Sequence, residues 1–544
     1  MKADVLLVVS PMWGTCLPPM GPAYIAAYLE KKGVACDVLD LNILLYDAAP
    51  AERKDLWKME NLNAWTREDD FNATFTFLKP QIDIWVKRII DGGVRFVGFS
   101  INGANILFAI KMAEALRLRK PDMCIIFGGP SCNFLHDDTR MPFRFFISVV
   151  NGDVLLKDGL VDFFVLGEGE AAFYDIVMAT RAGVPVDRAG VVAGGVRDRA
   201  AIRMPECLTQ LDDIPFPAWE KLPLKKYDVQ EELPVLFSRG CINKCAFCND
   251  WRMWGGKFRS RSARNIFDEI KLNYEKHGKK AFRCNDLLFN GNLRVLEELC
   301  DLIIASKLPI NWTAQGVART DMKPELFKKL KGAGVTTIVY GVESLSDNVL
   351  KKMGKPFVFT DILTVLKRTR EAGMNAWINL ITGFPGETDE DIELTKQHLE
   401  LIRDYVEVVS SLNPCNITAS TDLELDPGKF GIVFPEGKDR CAAWETSDGK
   451  NTFEIRKRRA RELFAHLRKL RITTHFMGIY DEESPVAETE RLDHTTTKNA
   501  RFFFSWRRIV TWPLFLLLLA YHLGLAVYLH AVKIWRKTII FPGS

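Results

Sequence analysis

The sequence predicts an α/β chain: an open, doubly wound parallel sheet, then a second set of strand–helix units shaped as an incomplete barrel, then a mainly helical C-terminal region. Three observations carry this. Apolar strand-like runs without polar alternation, each followed by helical periodicity, fill the first 180 residues. A proline-rich break, Ile-Pro-Phe-Pro-Ala-Trp-Glu-Lys-Leu-Pro, interrupts them inside Ile214 to Tyr227. Six further strand–helix units then follow within about 190 residues, as a barrel of parallel strands requires. The 544 residues allow about three domains at ~100–200 residues each.

Val5 to Ser10 is an apolar run ended by Pro11, and Tyr24 to Leu29 and Val34 to Leu39 continue it as helix and strand. Ile82 to Ile90 reads as helix, Val94 to Ser100 as strand, Ala104 to Leu118 as helix, and Cys124 to Phe127 and Phe163 to Leu166 as strands. Strands without alternation are buried on both faces, which calls for helices on each side of a parallel sheet. The break cannot continue a helix or a central strand, so residues 181–232 are assigned as a linker. The second alternation, residues 233–425, has strand candidates near Val235, Ala281, Ile310, Thr336, Ala376 and Val408, with helical patterns such as Ala263 to Tyr274 and Leu293 to Ser306. Residues 426–500 form the C-terminal region, in which Phe453 to Thr474 reads as a strongly basic helix with apolar Leu463, Leu467 and Leu470.

Composition narrows the function. A formal net charge of +4 from 73 Lys+Arg and 69 Asp+Glu is too small a bias for a phosphate-backbone binder, so no nucleic-acid partner is expected. Met1-Lys2-Ala3-Asp4 leads straight into a strand without a signal-peptide pattern. The 12 cysteines are therefore expected to lie in a reducing cytoplasm, where clustered thiols mean metal or catalysis rather than disulfides.

One cluster stands out. Cys241-Ile242-Asn243-Lys244-Cys245-Ala246-Phe247-Cys248 puts three thiols on the loop that follows the first barrel strand. Soft thiolates at this spacing converge on one metal centre, and three Cys on a four-iron cluster leave one iron open to a ligand. A structural zinc knot is the alternative; it wants four ligands in paired spacing, and Cys284 has no close partner to complete a second pair.

The Cys-x-x-x-Cys-x-x-Cys loop, with Phe247 before the last Cys, resembles the radical SAM superfamily. Further elements agree in order: Asn285-Asp286 after the second strand, Gly341-Val342-Glu343-Ser344 after the fourth, and Gly383-Phe384-Pro385-Gly386-Glu387-Thr388 after the fifth. The resemblance implies that Cys241, Cys245 and Cys248 hold a [4Fe–4S] cluster. S-adenosylmethionine would chelate its open iron and be cleaved to a 5′-deoxyadenosyl radical. It also implies adenosylmethionine contacts at Phe247, Asp286, Glu343, Ser344, Gly383 and Pro385. Two positions depart from the common pattern: Leu345 replaces a glycine after the Glu-Ser pair, and Asn285-Asp286 replaces Gly-Gly-Glu, as in the cobalamin-dependent branch.

The N-terminal turns, Pro18-Pro19-Met20-Gly21-Pro22, Gly98-Phe99-Ser100, Gly128-Gly129-Pro130 and Gly167-Glu168-Gly169-Glu170, resemble the Rossmann-like cobalamin-binding domain that precedes many radical SAM cores. That resemblance assigns residues 1–180 to cobalamin, with Ser100, Gly128, Gly129, Gly167 and Glu168 at the cofactor. The first histidine in the chain is His136, so no Asp-x-His-x-x-Gly ligand is offered and a base-off cobalamin is expected.

Ile509 to Val532 is 24 residues without Asp, Glu, Lys or Arg, about 36 Å as a helix, long enough for a ~30 Å hydrocarbon core. A hydrophobic helix over 509–535 is expected to span the cytoplasmic membrane or lie on it. Eight Lys/Arg between Arg456 and Arg471 would suit an anionic leaflet. Together these readings imply a cobalamin-dependent radical SAM enzyme. It would be a C-methyltransferase at an unactivated carbon, or else a cyclase, rearrangement or carbon–carbon coupling enzyme with the same cofactors; a non-catalytic iron–sulfur carrier is the third class. A small-molecule or lipid-like substrate, a flavodoxin- or ferredoxin-type electron donor and a membrane surface are the expected partners.

Overall fold

The structure is a computed structural model that describes residues 3–58, 61–130, 132, 159–193, 203, 205–418, 420–436 and 440–475. Its first sheet comprises β1 (Val5–Val9), β2 (Cys36–Asp40), β3 (Phe96–Ser100), β4 (Cys124–Gly128), β5 (Phe163–Val165) and β6 (Val191–Ala193), in the order β2-β1-β3-β4-β5-β6. The first five are parallel. All five residues of β1 are buried, as an unalternated apolar run demands.

Two separate cores show that both faces are covered. Leu6, Val8, Val97, Phe99 and Phe127 pack with the helices Glu68–Asp91 and Ile106–Arg119. Val5, Leu7, Phe96, Ile126 and Val165 pack with Met20–Lys31 and Gly169–Ala182. Strand order reverses between β1 and β3, which opens a crevice at the carboxyl ends of the strands. Val9, Ser100, Gly128 and Val165 lie in register along that edge.

Two features were not legible from periodicity. The edge strand β6 runs antiparallel to β5. The linker from residue 205 to 232 is an ordered strap: Trp219 and Tyr227 are buried at 1% exposure, and the Ala218 N–H donates to the Ala23 carbonyl at 3.1 Å. Prolines forbid regular structure there, but the aromatic side chains bury enough apolar surface to fix the strap.

The second sheet contains β7 (Glu232–Val235), then, after the small antiparallel hairpin β8 (Ser238–Arg239) and β9 (Arg259–Ser260), β10 (Ala281–Cys284), β11 (Asn311–Gly316), β12 (Val335–Glu343), β13 (Asn375–Thr382) and β14 (Val408–Pro414). A second hairpin, β15 (Ile432–Val433) with β16 (Glu445–Thr446), precedes a two-residue strand β17 (Thr473–Thr474). The order β17-β14-β13-β12-β11-β10-β7 is parallel throughout, so the expected six-stranded partial barrel gains one short edge strand. In β13, Asn375, Trp377, Asn379 and Ile381 are half-buried while Ala376, Ile378, Leu380 and Thr382 are buried. The two faces of the strand are thus packed unequally. Both sheets belong to one compact unit, Met1–Thr489.

The basic helix Phe453–Leu470 divides the eight cations between surface and fold: Arg458, Arg461, Arg468, Lys469 and, just past its end, Arg471 are exposed. Arg456, Lys457 and Arg459 are buried. Arg456 lies 3.8 Å over the Trp444 ring and donates to the Trp444 carbonyl at 2.9 Å, and Arg459 donates to the Glu387 carbonyl at 3.0 Å. Arg458 is spent on Asp389 at 2.9 Å. The helix packs against β14, so the buried charges serve the fold. Among the described residues no helix is long and apolar enough to cross a membrane. The apolar run Ile509 to Val532 lies outside the described residues, as does His136.

Candidate functional site

The cysteine loop leaves β8 at Gly240 and is held from both sides at Ala246, whose N–H donates to the Met353 carbonyl at 3.0 Å and whose carbonyl accepts from Leu423 N at 3.3 Å. Cys245 is buried, and Cys241 and Cys248 are partly exposed. The Asn243 N–H donates to Cys241 Sγ at 3.4 Å, and Cys248 Sγ lies 3.6 Å from Asp250 Oδ2. Burial raises all three thiols above their ordinary range, with Asp250 adding to the effect at Cys248. Metal binding at this loop must therefore release protons. Among the described residues no three His, Cys, Asp or Glu are gathered as a single-ion site gathers its ligands. A cluster sets a different demand, because each thiolate takes its own iron.

Glu343 ends β12 in the left-handed region, at φ 71°. Its Oε1 lies 3.6 Å from Lys355 Nζ, which also donates to the Gly341 carbonyl at 2.7 Å and sits 5.3 Å over the Phe247 ring. Burial pushes the Glu343 carboxyl up while Lys355 opposes the shift. Glu343, Phe247 and the cysteine loop are thereby brought together by a residue that no motif marked. Lys355 follows Gly354 at φ 76°, and that glycine is the only local sign of the turn that delivers it. Ser344 is buried, and its Oγ accepts from Ser346 N at 3.2 Å. Leu345 is fully buried, with its carbonyl 2.7 Å from His398 Nδ1, so the position tolerates a large side chain because it packs inward.

Asp286 and the Gly383 turn also carry intraprotein contacts. Asp286 is buried and accepts from Phe237 N at 2.7 Å and from the Ser238 hydroxyl, so it braces the strand that enters the cysteine loop. Burial pushes its pKa up to about 6. Gly383 and Pro385 are buried; the Gly383 N–H donates to Glu387 Oε2 at 2.5 Å, and Phe384 packs with Ala246, Met353 and Trp444. That turn buttresses the loop from behind.

Glu387 yields a pH prediction. Burial pushes its pKa up to about 8, above the usual carboxylate range. The folded state then holds this proton more tightly than the unfolded chain, so the stabilisation is complete at low pH and is lost as pH rises through about 8. Between pH 7 and 8.5 the loss is about 1 kcal/mol. The melting midpoint of apoprotein is expected to fall over that interval, and Glu387→Gln to flatten the slope; a wild-type midpoint that is level or rising would contradict this.

At the carboxyl edge of the first sheet lies a cavity of about 540 Å³, within the range of small-molecule sites. All five residues expected at the cofactor line it: Ser100, Gly128, Gly129, Gly167 and Glu168. Leu236, Arg239, Trp254 and Asn285 close it from the barrel side. A Cβ placed on Gly21, which also lines the cavity, would meet nothing within 4 Å, so the glycine leaves open space for a flat ligand to rest on backbone. Gly129 has a packing reason instead: at φ 109°, a Cβ there would come 2.6 Å from the Ile101 carbonyl oxygen.

Glu168 lines the cavity but is also committed to the domain junction. Its Oε2 accepts from Leu208 N at 2.6 Å, and its Oε1 lies 2.8 Å from Arg259 Nη1 and 3.2 Å from Arg239 Nη1. Glu170 pairs with Arg239 at 2.5 Å. The sequence signal for this junction was two acids among glycines, Gly-Glu-Gly-Glu, which demand buried cations elsewhere.

The Radical SAM superfamily matches residues 235–399. An uncharacterized methyltransferase from Pyrococcus horikoshii is 26% identical over 55% of this chain and 62% of its own length. The chain thus spans less than two thirds of that relative. Cytidylyl-2-hydroxyethylphosphonate methyltransferase from Streptomyces wedmorensis is 26% identical over 77% of this chain and 80% of its own. The radical S-adenosylmethionine methyltransferase TsrM from Kitasatospora setae, solved with cobalamin and a [4Fe–4S] cluster, shares the fold with a TM-score of 0.57 at 17% identity, over 80% of each chain.

Proposed function

We propose that this chain, whose residues 235–399 match the Radical SAM superfamily, is a cobalamin-dependent radical SAM C-methyltransferase acting on an unactivated carbon of a small molecule. The observation that carries this is the cavity: one space is walled by the glycine turns of the first sheet and by Arg239 and Trp254, which flank the cysteine loop in sequence. Cys241, Cys245 and Cys248 would hold a [4Fe–4S] cluster, and the glycine-floored cavity would hold cobalamin. When bound, the cluster with S-adenosylmethionine supplies a hydrogen-abstracting radical, and cobalamin supplies a methyl group.

The chain's own residues bind, orient and exclude water. Glu343, held in place by Lys355, offers a carboxylate to the ammonium of adenosylmethionine. Phe247 offers backbone and ring to its adenine, and Ser344 sits alongside. Asp286 and the Gly383 to Glu387 turn hold the loop on which those groups depend. Trp254, Tyr24 and Phe173 give the cavity apolar walls that limit side reactions of reactive species.

A low-potential flavodoxin- or ferredoxin-type protein is the proposed electron donor. The run Ile509 to Val532 is proposed to bring the enzyme to the cytoplasmic face of a membrane, where a lipid-like substrate would be met. One preparation tests both readings. Reduced, reconstituted protein incubated anaerobically with adenosylmethionine and a fractionated extract should yield 5′-deoxyadenosine and S-adenosylhomocysteine together, with a substrate gaining one methyl group. The full-length chain should pellet with membranes and resist a high-salt wash. 5′-Deoxyadenosine without S-adenosylhomocysteine would move the assignment to cyclisation, rearrangement or coupling; neither product would overturn it. A chain that stays in the high-speed supernatant without detergent would remove the membrane reading.

A further inference from the structure

We infer that the buried ion network of Glu168, Glu170, Arg239 and Arg259 couples occupancy of the cavity to the geometry of the cysteine loop, so that cobalamin and the cluster tighten each other's binding. This rests on the reading of the cavity as a cobalamin site.

Glu168 and Glu170 come from the end of the first sheet, and Arg239 and Arg259 face each other across the β8–β9 hairpin. Their side chains are 3–10% exposed, so the charges interact through protein rather than bulk water. Glu168, Glu170 and Arg239 line the cavity. The Arg239 guanidinium also lies 5.7 Å from the Tyr24 ring and 5.5 Å from the Trp254 ring, and both rings line the same cavity. A bulky ligand there touches the network or the rings that flank it.

The other end of the coupling is covalent. One residue, Gly240, separates Arg239 from Cys241. Gly240 holds φ 90° so close to the Lys257 carbonyl that a Cβ would come within 2.1 Å of its oxygen. No slack remains between the guanidinium and the first cysteine. Arg239 is clamped between Glu170 at 2.5 Å and Glu168 at 3.2 Å, so the cation is held firmly. When a ligand displaces water from the cavity, the Arg239 pairs strengthen because the surrounding dielectric falls. A stiffer Arg239 fixes Cys241, and by linkage a loop already fixed by its cluster favours the ligand by the same factor.

The test is a titration of full-length protein with hydroxocobalamin, followed by absorbance, with and without the reconstituted cluster. Tighter binding by about tenfold in the cluster-loaded protein is expected, within the usual range of coupling between sites. The electron paramagnetic resonance signal of the reduced cluster should shift when cobalamin binds. Arg239→Gln should reduce the coupling ratio to within about twofold, and so should the double variant Arg239→Met with Glu170→Leu. The double variant leaves no buried charge unpaired, since Glu168 keeps Arg259, so it stays folded if the single change does not. The ratio is informative whatever happens to the absolute affinities. Equal cobalamin affinity with and without cluster in the wild type, or an undiminished ratio in a folded variant, overturns the coupling. Failure to bind cobalamin in any state overturns the cofactor reading itself.

Discussion

Replacing Cys241, Cys245 or Cys248 with Ala, one at a time, is expected to abolish the iron–sulfur absorption band and to cut 5′-deoxyadenosine formation by more than about a thousandfold, equivalent to over about 4 kcal/mol of transition-state stabilisation. Each thiolate would serve a separate iron, and no neighbouring thiol is placed to substitute. Of the two nearest by sequence, Cys207 points its thiol at the Trp254 carbonyl, 3.4 Å away, and Cys284 is buried, where its pKa is raised well above normal by burial and by Asp286. Cys300→Ala is the control, since Cys300 is buried in the core face of the helix Leu293–Ser306 and should cost stability without touching iron content. Iron and sulfide retained at wild-type levels in all three loop variants would dismiss the cluster assignment, and a loss confined to Cys300→Ala would relocate it.

Gly240→Ala is expected to have nearly as large an effect without removing any ligand. At φ 90° an alanine carries backbone strain of about 1–3 kcal/mol. The added methyl would also stand 2.1 Å from the Lys257 carbonyl oxygen, an atom held by the β9 side of the hairpin rather than by a flexible side chain. Relief requires the hairpin to open, which pulls Arg239 from its glutamates and displaces Cys241. Reconstituted Gly240→Ala protein should carry a small fraction of the wild-type iron and melt several degrees lower, whereas Gly278→Ala, also at positive φ but with open space around it, should lose stability and keep its cluster. Full cluster loading in Gly240→Ala would show that the hairpin does not position the loop.

How much was legible follows from what kind of information each feature carries. The three cysteines needed only local spacing, because a thiol triplet within eight residues can meet at one centre whatever the rest of the fold does. The parallel sheets were legible because burial on both faces writes itself as unbroken apolar runs, and Val5–Val9 and Cys124–Gly128 are such runs. The glycine turns at Gly128, Gly129 and Gly167 share one edge because strand order and register carry the carboxyl ends of β1 to β5 to the same side. The proline strap concealed its order, since Trp219 and Tyr227 become anchors only where a surface exists to receive them.

By itself, then, the sequence determined the α/β class, the two successive parallel sheets, the cysteine loop and the glycine-lined edge, all consequences of local spacing and periodicity. Tertiary structure alone decided the rest. Arg456 and Arg459, which read as a basic surface, are buried because a helix face is defined by what it docks against. Asp286 became a brace because the Phe237 N–H lies 2.7 Å away across 49 residues of chain. Lys355 met Glu343, and Glu168 and Glu170 met Arg239, over separations at which no motif operates. Buried charges must be paired, but the partner is chosen by packing, and packing is a property of the assembled chain.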